Sequence, residues 1–65
     1  MIKPEGCTGL FRVSTQGMDT TIYAVIGMHV MYYDPDFDEW VDSVMNSIEL
    51  EELSSFGVAS VEKIE

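Results

Sequence analysis

The stretch that decides the fold is IYAVIGMHVMYYDPDFDEW, residues Ile22–Trp40. Its first twelve residues are almost all apolar, and its last seven include four acids. A run rich in β-branched and aromatic residues is typical of a strand that has little contact with water. The abrupt change after Tyr33 marks the end of that strand and the start of another element.

The acidic half predicts a helix over residues 35–48. Asp34 is a suitable N-cap, and Pro35 would take the first helical position, where a missing N–H costs nothing. The acids that follow suit the positive end of the helix dipole. Apolar residues recur at steps of three and four and form one stripe: Phe37, Trp40, Val41, Val44, Met45 and Ile48. Whether residues 49–56 extend this helix, to about residue 53, or form a loop stays open.

The residues before this stretch predict a β-hairpin. GLFRVSTQG alternates, with Phe11 and Val13 on one face, and a turn at Gly17 leads back into the apolar run. The hairpin covers residues 9–33, and Gly27 predicts a bulge or a close backbone approach in its long second strand.

VASVEKIE, residues 58–65, predicts a closing strand over residues 57–64, with a short helical turn as the alternative. Residues 1–8 are expected to form an N-terminal arm. We therefore expect one α+β domain, residues 1–65. It is a small ββαβ fold in which one amphipathic helix crosses one face of an antiparallel three-stranded sheet.

A single helix covers only one face of a sheet, so one face of the second strand should stay exposed. Exposed apolar patches mark interaction surfaces, and this one would bind a partner or a second copy in a homodimer. The alternation does not show which face is inward, and a bulge at Gly27 would swap the two halves. The alternative is that the arm Met1–Cys7 folds over the exposed face. One alternating set provides the candidate surface: Tyr23, Val25, His29, Met31 and Tyr33.

The charge is strongly negative. Twelve acids against three basic residues give a formal net charge of −9, and ten of the acids lie from Asp34 onward. Such a surface repels nucleic acid and anionic membranes and attracts a basic protein surface. The plain alternative is a solvated acidic face that keeps a small protein in solution.

Composition favours an intracellular, cytoplasmic protein. Cys7 is the only cysteine, so no disulfide can form within the chain. MIKPEG lacks the apolar segment of a secretory signal, and no run approaches the ~20 apolar residues of a membrane span. A chain of 65 residues buries only about 60% of its surface on folding, so association would add stability.

Catalytic and metal-binding motifs fail at their key positions. DPDFD resembles the start of an EF-hand loop, but Glu39 and Met45 stand where that loop requires Gly and Glu. His29 and Cys7 are too few for a zinc site, and nothing places either beside a nucleophile or an orienting group. We expect no enzyme, no metal and no cofactor.

The order LFRVSTQG, IYAVIGMHVMYYDPDFDEWVDSV and GVASVEKIE, over about residues 9 to 64, resembles the small ββαβ proteins encoded by bacteriophages. Tyr33 and Trp40 stand where such proteins usually carry small residues. Members with known roles inhibit host RNA polymerase or bacterial defence systems such as CRISPR. The resemblance implies a protein that works by binding.

We therefore expect an acidic inhibitor that binds a host protein in the bacterial cytoplasm, in its stronger version as a DNA mimic. Two alternatives stay open: an oligomer that traps a signalling nucleotide on its aromatic side chains, and a structural or accessory subunit. The acids expected to contact the partner along the helix are Asp36, Glu39, Asp42, Glu49, Glu51 and Glu52.

Overall fold

The computed structural model describes residues 2–65, which form an α+β domain with an antiparallel sheet of five strands. The sheet order is β4-β3-β2-β1-β5, and α1 lies between β4 and β5 in the chain. The chain is thus ββββαβ, and the predicted ββαβ fold with three strands is only partly matched. The elements are β1 Gly9–Ser14, β2 Thr21–Ile26, β3 His29–Asp34, β4 Glu39–Asn46, α1 Ser47–Ser55 and β5 Ser60–Lys63.

The long second strand is in fact two strands joined by a tight turn. Ile26 pairs with His29, so only Gly27 and Met28 form the loop. Gly27 has φ +64°, which the first position of a II′ hairpin turn requires and which glycine adopts without a Cβ penalty. The predicted bulge at Gly27 is wrong because the chain reverses direction there.

The predicted helix over residues 35–48 is also wrong, because most of it is strand β4. Tyr33 pairs with Trp40, so the chain turns back on itself at residues 35–38. Trp40 and the β-branched residues after it favour a strand once β3 offers a neighbour to pair with. Local helical spacing is overridden by this pairing.

The helix begins instead at Ser47, beyond a capping box. The Asn46 side chain accepts a hydrogen bond from the Glu49 amide at 2.9 Å, and the Glu49 carboxylate accepts from the Asn46 amide at 3.1 Å. These bonds satisfy N–H groups that the first turn leaves without a partner. Helix α1 continues to Ser55, two residues past the extension considered from the sequence.

The core lies between α1 and one face of the sheet. Leu50, the buried residue of α1, packs with Val13 of β1 and Val30 of β3. Because α1 contacts both edge strands, β4 and β5, it crosses this face of the sheet without covering all of it. Half-buried residues surround this cluster: Phe11, Tyr23, Val25, Met45, Leu53, Ala59 and Val61.

The N-terminal arm lies on the other face of the sheet, which agrees with the alternative left open above. The Thr8 amide donates to the Val25 carbonyl at 2.8 Å, and Lys3 forms an ion pair with Glu65 at 2.7 Å. On this far face Leu10 and Ala24 are fully buried although α1 is on the opposite side. The arm therefore covers part of the surface that the sequence left exposed; Met1 lies outside the described residues.

Candidate docking site

The six acids predicted to line one helix do not share an element. Asp36 lies in the β3–β4 turn, and Glu39 and Asp42 lie on β4. The remaining three, Glu49, Glu51 and Glu52, lie on α1. Strand β4, which carries Glu39 and Asp42, runs for eight residues, about 26 Å at the usual rise of a strand, from the β3–β4 turn to the start of α1. A single helical row of carboxylates is therefore wrong.

The predicted apolar face is likewise divided between the two sides of the sheet. Tyr23 and Val25 pack against the core beneath α1. On the far face lie His29, which is exposed, and Met31 and Tyr33, which are half-buried. The cause is the turn at residues 27–28, because it changes which alternate residues face the helix.

The hairpin between β3 and β4 ends in an acidic tip, which we define as residues 34–39. It holds four carboxylates, those of Asp34, Asp36, Asp38 and Glu39. At its centre the Phe37 side chain is 74% exposed. A large aromatic side chain at the end of a hairpin, flanked by acids on both sides, is the most distinctive surface feature of the molecule.

Local hydrogen bonds fix the shape of the tip. The Asp34 carboxylate accepts from the Asp36 amide at 3.0 Å, which is an Asx turn. Asp38 has φ +50°, a conformation that Asp tolerates better than most residues. The Tyr33 hydroxyl donates to the Asp38 carboxylate across the hairpin. These contacts within the hairpin therefore define the shape of the tip.

Trp40 connects the base of the tip to the N-terminal arm. Its ring centroid lies 5.4 Å from that of Tyr33, in a tilted arrangement. Its indole N–H donates to the Ile2 carbonyl at 2.6 Å. An open cavity of about 460 Å3 lies between the arm and the hairpin and is lined by Ile2, Lys3, Tyr33, Asp38 and Trp40.

The hydrogen bond to Asp38 also shifts the titration of Tyr33. Donation to Asp38 is the main reason that the pKa of Tyr33 is raised above 10.0, with further contributions from desolvation and from the charges of Asp38 and Asp34. A phenol with a raised pKa stays protonated and keeps donating at neutral pH. Lys3 likewise has a raised pKa, because its ammonium donates to Glu65.

The groups considered for catalysis are engaged elsewhere. His29 Nε2 lies 2.9 Å from the Asp42 carboxylate on the far face, and Cys7 Sγ donates to the Gly9 carbonyl. Within residues 2–65, no three potential ligands of the His, Cys, Asp or Glu type are grouped to hold a metal ion.

Comparison with protein-family models, with curated proteins and with solved structures yields no match for this chain. In the part of the chain that the structure describes, no helix has the length and apolarity needed to cross a membrane.

Phe37 is the functional candidate that sequence reasoning missed. Its place in an apparent apolar helical stripe assigned it to the core. The available signal was the Asp-Pro step before it, since that dipeptide initiates turns as readily as helices. Val44 belongs to the same apparent stripe and was likewise assigned to the core, but it is fully exposed where β4 bulges away from β3.

Proposed function

We propose that this chain is a small acidic binding protein of the phage inhibitor type, which docks its acidic tip on a basic surface of a host protein and blocks it. The supporting observation is the exposed Phe37 at the centre of a preformed acidic hairpin. The host protein would belong to defence, transcription or other nucleic-acid-handling machinery, since such proteins carry basic surfaces.

Phe37 supplies the apolar part of this interaction. Aromatic side chains that enter a pocket on the partner often dominate binding energy, and rigid presentation reduces the entropy lost on binding. Here the Asx turn of Asp34 and the bond from Tyr33 to Asp38 provide that rigidity. Truncation of Phe37 should therefore cost much more affinity than truncation of an exposed aromatic residue elsewhere.

The carboxylates supply attraction and orientation. Opposite charges across an interface accelerate encounter and select the partner, and salt weakens both effects. Asp36 and Asp38 flank Phe37 in the chain, and Glu39 and Asp42 lie on β4. If the partner surface is a nucleic-acid channel, nucleic acid will compete with the protein for it, as the mimic version of the proposal requires.

The test is affinity capture from bacterial lysate with matched variants, followed by binding measurements on the purified partner. Phe37→Ala should weaken binding by about thirtyfold, near 2 kcal/mol. Phe56→Ala is the control, because Phe56 is 71% exposed but lies at the end of α1. Equal loss in both variants, or none in Phe37→Ala, contradicts docking through the tip.

A charge test complements it. Asp36→Asn should reduce affinity and also reduce the slope of affinity against salt, whereas Asp19→Asn, an exposed acid of the β1–β2 turn, should leave both unchanged. Salt-independent binding would mean that an apolar surface, not the acids, carries the interaction.

The cavity beside Tyr33 and Trp40 favours one alternative, the capture of a small signalling nucleotide. Two aromatic rings could stack on a base there, and Lys3 provides a cation, although it is already paired with Glu65. Stabilisation by about 2–4 kcal/mol in a thermal-shift screen against cyclic nucleotides at saturating concentration would support this alternative. A homodimer through the far face also stays a prediction, which light scattering at high concentration tests.

A further inference from the structure

A second concave surface lies between α1 and the sheet, toward the end of the strands opposite the acidic tip. Its volume is about 440 Å3, which is within the usual range of small-molecule sites. Apolar side chains form much of its lining: Phe11, Val25, Leu50 and Val61. We call this surface the helix–sheet groove.

The groove exists because α1 is too short to cover the sheet. The helix has nine residues, and its buried residue, Leu50, packs over Val13 and Val30. Beyond them β1 begins with Gly9, where an added Cβ would come within 3.1 Å of the Phe11 ring. Because Gly9 has no side chain, the Phe11 ring can lie along this end of the sheet. The same absence leaves the groove open at Gly9.

Lys63 gives the groove an unusual charge. Among residues 2–65, Lys3 and Arg12 each form an ion pair, with Glu65 and Glu62, whereas Lys63 forms none. Lys63 lies on β5 directly opposite Phe11 and lines the groove. In a chain of net charge −9, a cation that is left unpaired beside an apolar cavity is a specific feature of that cavity.

Ser47, Glu51 and Ser54 of α1 line the helix side. Glu51 disfavours an anion near α1, so an anionic group would have to lie at the β5 side, next to Lys63. This distribution of apolar and charged side chains around the groove therefore fits a molecule with an apolar body and one negative end.

We propose that the helix–sheet groove binds a small amphipathic monocarboxylate, with its hydrocarbon body over Phe11, Val25 and Leu50 and its carboxylate at Lys63. This site is separate from the acidic tip and does not depend on the docking function. Binding there is non-covalent.

The probe is octanoate, used below its micellar concentration and titrated into 15N-labelled protein. Amide shifts should change for residues of the groove, with saturation that gives a dissociation constant of about 1 mM or tighter for so small a ligand. 1-Octanol, which has the same chain without the charge, should bind several times more weakly.

Two variants locate the site. Lys63→Gln should weaken octanoate about threefold to fivefold, the effect of a solvent-exposed ion pair, and leave 1-octanol unchanged. Ser54→Phe should fill the groove and abolish binding of both. The control is Ser55→Phe, the same substitution one residue along α1 on a side chain that does not line the groove.

Equal affinity for octanoate and 1-octanol, or shifts spread over exposed apolar residues such as Met18 and Phe37, would overturn the proposal. The proposal would also be overturned if no amide shifts changed at an octanoate concentration about 10 times the expected dissociation constant. At that concentration one site would be about 90% saturated. Should Ser54→Phe fail to fold, the Lys63→Gln comparison still decides. Phe37→Ala must leave octanoate binding unchanged, which separates this proposal from the docking function.

Discussion

Replacement of Asn46 by alanine distinguishes the observed helix from the one that the sequence indicates. In a helix over residues 35–48, Asn46 would be an interior position, and alanine there would stabilise by about 0.5 kcal/mol because it is the best helix former. In the structure Asn46 is the N-cap of α1, so the same change should destabilise. The predicted helix and the observed helix therefore imply opposite signs for the change in unfolding free energy on Asn46→Ala.

The magnitude follows from the capping box. Asn46→Ala removes the side-chain oxygen that accepts from the Glu49 amide. The backbone amide of residue 46 remains as the donor to the Glu49 carboxylate, so half of the capping box is kept. Loss of an N-cap side chain costs about 1 kcal/mol, within a range of roughly 0.5–2 kcal/mol. A domain of this size holds only about 3–5 kcal/mol in total, so the loss is a large fraction of its stability.

The assay is urea unfolding followed by circular dichroism at 222 nm. With a slope of about 1 kcal/mol per molar urea, the midpoint should fall by about 1 M in Asn46→Ala. Asn46→Ser keeps a capping oxygen and should stay close to the parent protein. A higher midpoint in the alanine variant, or equal midpoints in the alanine and serine variants, would refute the capping of α1 at Asn46.

Three further predictions test the rest of the fold. Leu50→Ala should destabilise the protein by about 2–3 kcal/mol in urea unfolding. This is the low end for a buried leucine, because the space left by the side chain opens into the groove. Ile48→Ala, at an exposed position of the same helix, should cost under about 1 kcal/mol. Gly27→Ala should cost about 1–2 kcal/mol in the same assay through its positive φ alone, since no atom lies within 4 Å of the added Cβ. The Tyr33 bond to Asp38 stabilises the fold below pH 10.0 and is lost as pH rises through the raised pKa. Unfolding free energy should therefore fall between neutral and strongly alkaline pH, and less so in Tyr33→Phe.

The period-two pattern of β1 was informative because no turn interrupts it, unlike the pattern of the apolar run that divides into β2 and β3. Phe11 and Val13 alternate on β1 and both pack toward the helix side, as expected. The hairpin of β1 with β2 and the closing strand β5 lie within the predicted ranges. Their register follows from one buried face, which a slip of one residue would expose.

The β3–β4 region was not predictable because its local chemistry fits two structures equally. An Asp side chain that accepts the amide two residues later caps a helix, and the same hydrogen bond closes an Asx turn. Asp34 makes this bond to Asp36 in the structure, so the residue was identified correctly and its element was not. What decides between them is the pairing of Tyr33 with Trp40, a contact that no local pattern contains.

The candidate site was predictable in composition but not in arrangement. Acids after residue 33 and an apolar surface near them follow from the sequence alone. That Phe37 is exposed among these acids depends on the hairpin, because a helix would have turned the same ring toward the core. Correction of this one element therefore moves the proposed contact surface from a row along a helix to the end of a β-hairpin.

The net charge connects stability with binding through two salt effects of opposite sign. Four carboxylates crowd the acidic tip, and Glu49, Glu51 and Glu52 crowd α1, so each group repels itself when the chain is compact. Added salt screens that repulsion and stabilises the fold, while it also screens the attraction between the tip and a basic partner. With these two effects, a loss of affinity at high salt would not come from unfolding, because we expect the free protein to be more stable under those conditions. If affinity and stability both fell as salt rose, the acids would be stabilised by ion pairs within the chain, and they would not be the free charges that docking requires.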